Sequence, residues 1–187
     1  MFIHLNFKMK STVINFLLLF LMCTALNSYS QGRKVINHTE IGGLIHQSNT
    51  LGDNSEFNAF RTRTGITRII KENYGLGFAL GTDNYKRDNG ASYNTLPITI
   101  NAAYFFNPDL SGFKADLYGG YSIKIFNNLN RGLTAGVGLS YSVPVNKGLN
   151  LGLQTGYNYQ EIDFPSNFFQ ESFSLGSYRI GLAITFK

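Results

Sequence analysis

The chain ends with GSYRIGLAITFK, residues 176–187, and this stretch decides the class of fold. From Tyr178 to Phe186, every second residue is large and apolar. The residues between them are polar or small, namely Arg179, Gly181, Ala183 and Thr185. A period of two with one apolar face is the pattern of a β-strand. The apolar face of this last strand needs either a protein core or a lipid environment to cover it.

The same alternation recurs along the chain, and no stretch of useful length has a helical period. The other alternating stretches are residues 39–45, 57–70, 74–82, 96–106, 113–125, 133–143 and 149–160. The composition of 20 glycines, 11 tyrosines and 16 phenylalanines suits many strands joined by tight turns. The sequence therefore predicts an all-β domain of eight antiparallel strands.

The predicted connections fall into two kinds that alternate around the sheet. Short turns are predicted at residues 71–73, 107–112 and 144–148. Longer polar segments are predicted at residues 47–56, 83–95 and 161–173, with an intermediate loop at 126–132. Both termini of the predicted domain then lie on the short-turn side, which is typical of an up-and-down β-barrel whose first and last strands pair.

Residues 1–30 have the pattern of a secretory signal peptide. Lys8 and Lys10 precede the apolar run at 13–26, and small residues allow cleavage after Ser30. The run is too short for a membrane-spanning helix, which needs about 20 apolar residues. We therefore expect a signal peptide over 1–30 and a barrel domain over 31–187. Cys23 would leave with the signal peptide, so the mature chain is expected to form no disulfide.

Charge and composition exclude several classes of function. The formal net charge of +5 is scattered, without the basic run of a nucleic-acid surface. The mature chain would hold two histidines, His38 and His46, and no cysteine, which is a poor ligand set for a metal ion. We predict no nucleic-acid partner, no metal and no other cofactor.

The polarity of the two strand faces decides between a soluble and a membrane barrel. The face opposite the large apolar residues is rich in glycine, alanine, serine and threonine, whereas a solvated face would carry lysine and glutamate. Small residues suit the narrow interior of an eight-stranded barrel. With the loop asymmetry, this favours an eight-stranded antiparallel transmembrane β-barrel. A soluble exported barrel that binds an apolar ligand remains the alternative.

Aromatic residues gather at the ends of the apolar rows, where a membrane barrel has its interfacial girdles. The predicted interface aromatics are Tyr74, Tyr104, Phe106, Phe113, Tyr141, Tyr157, Tyr159, Tyr178 and Phe186.

Several charged residues lie on the small-residue face and are predicted to point into the lumen, the space inside the barrel. They are Glu40, Arg61, Arg63, Lys114, Asp116, Lys124 and Arg179. Charges in a confined space must be paired, so we expect a structural network that packs the interior. A narrow polar path is the alternative, but eight strands leave too little room for an open pore.

With these features, residues 33–187 resemble the family of small eight-stranded outer-membrane β-barrels, which are similar to the OmpA transmembrane domain and OmpX. The resemblance implies an outer-membrane location and a lipid environment. It also implies that the barrel-assembly machinery reads the terminal strand, which in that family usually closes on phenylalanine. Here Lys187 follows Phe186. Members serve as membrane anchors or adhesins, so the resemblance implies fold and location more than activity.

No catalytic constellation stands out in the sequence. An acyl-transfer or hydrolytic barrel enzyme that modifies lipid A would need a nucleophile with a positioned base. Ser172 and Ser174 have no histidine nearby in sequence. We expect a non-enzymatic protein that anchors surface loops for envelope integrity, adhesion or partner binding; the lipid A-modifying enzyme would require His38 or His46.

The long segments at residues 83–95 and 161–173 are the candidates for contact with an extracellular ligand. The second holds the candidate contact residues Phe164, Phe168, Phe169 and Phe173. We expect these side chains to pack over the barrel mouth, and binding of a partner is the alternative.

Overall fold

The protein is described from a computed structural model. The structure describes residues 35–51, 55–88, 90–126, 128–163 and 172–187. The predicted signal peptide, residues 1–30, lies outside the described residues and stays a prediction. In the part of the chain that the structure describes, no helix is long and apolar enough to cross a membrane.

The regular structure is all β. The strands are β1 (Val35–Asn49), β2 (Phe57–Lys71), β3 (Tyr74–Arg87), β4 (Ser92–Thr95), β5 (Pro97–Phe105), β6 (Gly112–Ser122), β7 (Leu129–Asn130), β8 (Gly132–Asn146), β9 (Leu149–Asp163) and β10 (Ser172–Phe186). β4 and β5 are two parts of one barrel strand, interrupted at Leu96. β7 is a two-residue strand parallel to β4. The barrel therefore has eight strands, as predicted from the sequence.

The sheet closes on itself because β1 pairs with both β2 and β10. All barrel neighbours are antiparallel, and Glu40 of β1 lies opposite Arg63 of β2 and Ala183 of β10. Closure leaves no free sheet edge along these strands. The prediction of a closed up-and-down barrel, in which the terminal strand pairs with the first, is confirmed.

The two ends of the barrel differ in their connections. At the short-turn end, β2 and β3 are joined by residues 72–73, β5 and β6 by 106–111, and β8 and β9 by 147–148. The opposite end is called the long-loop end. There the predicted loop over 83–95 is wrong, because β3 runs to Arg87 and β4 begins at Ser92. The outward residues of this extension, Asn84 and Lys86, are polar, so apolar alternation does not reveal the strand.

β6 ends earlier than the alternating stretch at residues 113–125 predicts. β6 stops at Ser122, opposite Pro97 of β5, and the last backbone bond joins Ile123 N to Leu96 O at 3.1 Å. Proline has no N–H to continue the ladder. Lys124 therefore lies beyond the strand and is exposed. Its predicted place in the lumen is wrong.

The exterior of the barrel is apolar and the interior is largely polar. Outward side chains such as Ile100 and Leu153 are 72% and 68% exposed. Inward polar side chains such as Asn158 and Gln160 are fully buried. This polarity is the reverse of a soluble barrel, in which the apolar face lines the interior.

Two apolar clusters fill the lumen at its ends. The long-loop cluster consists of Leu44, Phe57, Tyr85, Ile162, Phe173 and Leu175. The short-turn cluster consists of Ile36, Phe105 and Leu110. Leu110 adopts a left-handed φ of 64° in the turn before β6, and its carbonyl oxygen accepts a 2.7 Å bond from Asn150 Nδ2. The lumen is thus packed at both ends.

One predicted loop contact belongs to the long-loop cluster. Phe173 is part of β10, is 1% exposed, and its ring lies 5.6 Å from that of Phe57. Its predicted place in the loop over 161–173 is wrong, because β10 already starts at Ser172 and turns Phe173 inward, where it packs at the mouth of the barrel. The other three phenylalanines, at 164, 168 and 169, lie outside the described residues.

Replacing Phe173 with alanine is expected to lower the free energy of unfolding by about 3–5 kcal/mol, because it empties part of the long-loop cluster. The matched control is Ile125→Ala, since Ile125 is 59% exposed beyond β6. Urea unfolding of the folded protein in detergent micelles measures both. Equal unfolding midpoints for the two variants would contradict the packing of Phe173.

Candidate functional site

The centre of the lumen holds a network of buried charges between the two apolar clusters. Arg179 of β10 is 1% exposed. Its guanidinium donates to Glu40 Oε2 on the adjacent β1 at 3.4 Å and to Asp116 Oδ2 on β6 at 2.9 Å. β6 is three strands away from β10 in the sheet. Arg179 therefore ties two walls of the barrel together.

A second pair lies closer to the long-loop end. Arg61 of β2 donates to both carboxylate oxygens of Asp83 on β3, at 2.7 and 2.6 Å. The side chains are 3% and 1% exposed. Two parallel bonds between a guanidinium and a carboxylate form the strongest geometry for such a pair. The pair can offset its desolvation only because these bonds are made.

Tyr118 of β6 stands at the centre of the network. Its ring lies under the guanidinium carbons of Arg63, Arg179 and Arg61, at 3.8, 5.4 and 5.7 Å from the ring centroid. Its hydroxyl accepts from Arg61 Nη1 at 2.7 Å and donates to Asn158 Oδ1 at 2.6 Å. One aromatic side chain thus contacts three of the four buried cations.

The remaining charges lie nearer the short-turn end. His38 Nε2 is 3.1 Å from Glu40 Oε1 and 3.3 Å from Lys114 Nζ, and Lys114 Nζ is 3.9 Å from Asp116 Oδ1. Arg63 donates to Thr99 Oγ1. In this central network, four cations (Arg61, Arg63, Lys114 and Arg179) face three carboxylates (Glu40, Asp83 and Asp116). Arg63 is the cation that depends most on Tyr118.

Two glycines of β8 make room for the large side chains of the network. A Cβ at Gly136 would overlap the hydroxyl of Tyr118, and one at Gly138 would overlap a nitrogen of Arg179. This is the physical reason for the small-residue face of the barrel. Small residues on one wall accommodate the charges that project from the others.

The structure brings together six of the seven residues predicted to form the lumen network: Glu40, Arg61, Arg63, Lys114, Asp116 and Arg179. Two further members of the network, Tyr118 and Asp83, are not among the residues predicted from the sequence. Tyr118 has the same strand parity as Lys114 and Asp116, and this signal would have identified it. Asp83 falls in the predicted loop over 83–95, because polar residues on both faces hide the end of β3.

The network leaves little free space. A cavity of about 30 Å³ lies beside His38, Glu40, Arg63, Lys114 and Asp116. Such a volume holds a water molecule but no substrate. His38 lies between two hydrogen-bond partners, with Nδ1 3.1 Å from Thr185 Oγ1 and Nε2 3.1 Å from Glu40 Oε1. Thr185 is buried, so its hydroxyl is not accessible to a substrate. No group of three His, Cys, Asp or Glu side chains placed for a metal ion occurs within the described ranges.

The nine predicted interface aromatics are turned outward or lie at a strand end, and they form two groups. At the short-turn end, rings from Tyr74 through Tyr104, Phe106 and Phe113 to Tyr141 make successive contacts at 5.0, 5.1, 6.5 and 4.9 Å. Phe186 lies at the same end. The other group is Tyr157, Tyr159 and Tyr178, of which Tyr157 and Tyr178 are 6.0 Å apart. The apolar belt of the barrel lies between these groups.

Solved structures resemble this barrel in overall architecture. Neisserial surface protein A is 19% identical over 84% of this chain and 99% of its own, with a TM-score of 0.48. A de novo designed transmembrane β-barrel is 19% identical over 83% and 98%, with a TM-score of 0.45. The outer-membrane protein OprG from Pseudomonas aeruginosa is 12% identical over 81% and 95%, with a TM-score of 0.42. No family profile and no curated protein sequence matches the chain.

The Arg61–Asp83 pair gives a prediction about stability. Asp83→Leu is expected to lower the free energy of unfolding by about 3–5 kcal/mol, because it leaves the Arg61 guanidinium buried without its carboxylate. The double variant Arg61→Met/Asp83→Leu is expected to regain most of this loss, since it removes both charges. Urea unfolding in micelles measures the three proteins. A double variant less stable than Asp83→Leu would contradict a paired network.

Proposed function

We propose that this protein is a non-enzymatic outer-membrane β-barrel that anchors its long-loop end at the cell surface. The observation that carries the proposal is the inverted polarity of the barrel, with an apolar, girdled exterior around an ion-paired interior. The filled lumen supports anchoring and presentation of surface loops rather than conduction.

The length of the apolar belt supports a membrane span. Along β9 the outward residues are apolar or aromatic, apart from Thr155, from Leu149 to Tyr159, and the next two, Glu161 and Asp163, are acidic. Along β10 the apolar row runs from Phe186 back to Tyr178. These 9–11 residues match the length of a tilted transmembrane strand, about 9–11 residues. The surrounding partner is then outer-membrane lipid.

The long-loop end carries the groups that would face the cell exterior. Polar side chains such as Lys86 and Ser92 are exposed there, near the connection between β3 and β4. The loop after β6 also lies at this end. Contacts of these segments with an extracellular ligand or with the envelope are the role we propose. Before that role, the barrel-assembly machinery would recognise β10, which ends at Phe186 before Lys187.

Cell fractionation tests the location. The protein is expected in the outer-membrane fraction, and the detergent-solubilised protein is expected to change its gel mobility on heating, because a closed barrel stays compact until it is boiled. Recovery of the protein in the soluble periplasmic fraction without a mobility shift would contradict the proposal and favour the soluble alternative.

A substitution on the outer face distinguishes a membrane barrel from a soluble barrel without cell fractionation. Leu153→Arg is expected to destabilise the protein by about 2–4 kcal/mol in lipid vesicles, because Leu153 would lie deep in the bilayer. The control Val145→Arg, near the end of β8, is expected to cost about 0–1 kcal/mol. Both parent side chains are exposed, at 68% and 55%. A soluble barrel would tolerate both substitutions equally.

A further inference from the structure

The outer wall of the barrel carries an apolar groove with a volume of about 1050 Å³. It crosses β3, β5, β6, β8 and β9 between two rows of outward side chains that are paired from strand to strand. One row is Tyr74, Tyr104, Ala115, Leu139 and Thr155, and the other is Leu76, Ala102, Leu117, Val137 and Tyr157. We call this feature the outer groove.

Small side chains open the outer groove. Ala102 and Ala115 are half-buried, whereas neighbours such as Ile100 and Leu117 stand out from the wall. Between the two rows, Gly75, Gly138 and Gly156 contribute only backbone to the floor. The lining is apolar apart from Lys71, the tyrosine hydroxyls at its ends, Thr155 in one row, and Asp116, whose carboxylate is bonded to Arg179 in the lumen.

The dimensions suit a lipid chain. Five strands spaced about 4.8 Å apart give a length of about 19 Å. With strands tilted by about 40°, the outer groove rises through about 12 Å of membrane depth. One leaflet of a hydrocarbon core about 30 Å thick has a depth of about 15 Å. The outer groove is therefore long enough to hold an acyl chain of one leaflet.

Two cations lie where the outer groove reaches the short-turn end. Lys71, the last residue of β2, lines it and is paired with Tyr74. Arg68 is exposed, lies between outward-facing Ile66 and Ile70, and is paired with Leu76 of the second row. No ion pair of Arg68 or Lys71 is found among the described side chains. An arginine in a lipid-facing row must extend toward the interface, where it meets phosphate groups.

We propose that the outer groove binds one anionic phospholipid of the leaflet at the short-turn end, with its phosphate at Arg68 and Lys71 and an acyl chain along Ala115 and Ala102. The apolar length selects a lipid, and the two cations select negative charge over a zwitterionic headgroup. Glu72, in the adjoining turn, leaves a net positive charge at this end. The inference rests on the proposed membrane location.

Native mass spectrometry of the detergent-solubilised protein tests the proposal. The protein is mixed with equal amounts of phosphatidylglycerol and phosphatidylethanolamine that have the same acyl chains. The unaltered protein is expected to retain phosphatidylglycerol at least tenfold more than phosphatidylethanolamine. Arg68→Gln/Lys71→Gln is expected to abolish this preference, whereas the control Lys147→Gln, in the turn between β8 and β9, is expected to keep it.

The apolar part of the site is tested by filling it. Ala115→Phe is expected to reduce retention of both lipids at least fivefold, because the ring occupies the outer groove. The control Ala135→Phe places the same ring on the outer face of β8, at a position that does not line the outer groove. Equal retention by these two variants would overturn the proposal, and so would the same lipid preference in the Arg68/Lys71 and Lys147 variants.

Two further outcomes identify other occupants. Displacement of phosphatidylglycerol by excess inorganic phosphate would show a site for free phosphate and overturn the proposal. A dimer that Ala115→Phe dissociates would show that a second copy occupies the outer groove. A heat-modifiable membrane protein without lipid preference contradicts this inference alone, whereas a soluble protein without a mobility shift contradicts the proposed function as well.

Discussion

The hydrogen bonding between β1 and β10 is the constraint on which the rest of the structure depends. Without it, both strands would present unpaired N–H and C=O groups, and in lipid each such group would cost several kcal/mol. Closure after eight strands also sets the width of the lumen. Every inward side chain must then fit a narrow space that is enclosed by an apolar wall.

The narrow lumen explains why charges and glycines occur together. A guanidinium such as that of Arg179 reaches a carboxylate on the far wall only where β8 offers glycine in its path. Each cation must find a carboxylate, a hydroxyl or an aromatic face, since the interior has no room to hydrate it. Tyr118 serves three guanidiniums at once, which reduces the demand for carboxylates.

The apolar clusters complete this arrangement at the two ends of the network. They separate the buried charges from solvent, so the paired geometry is maintained in a low dielectric environment. The same packing limits what the lumen can do chemically. The outer wall and the long-loop end are the accessible surfaces, and they differ in chemistry: the wall is apolar with cations at one end, and the long-loop end is polar.

The sequence was most informative where one face of a strand lies in the apolar belt. All eight barrel strands and the outward place of the girdle tyrosines follow from period-two alternation, because side chains alternate between faces by backbone geometry alone. Beyond the belt both faces are polar, and the signal is lost. For this reason alternation predicts a loop at the end of β3, which holds Asp83, and a start of β10 after Phe173.

The sequence by itself determined the eight-stranded all-β fold and the inward direction of six charged residues, because these depend only on strand parity and the polarity of each face. Only the tertiary structure decided which charges meet. Arg179 contacts Glu40 and Asp116, and Arg61 contacts Asp83, because register and closure bring distant strands within hydrogen-bond distance. It also decided that Lys124 lies outside the lumen, because the β5–β6 ladder ends at Pro97. These outcomes depend on which strands pair and where pairing stops, and alternation along a single strand carries no information about either.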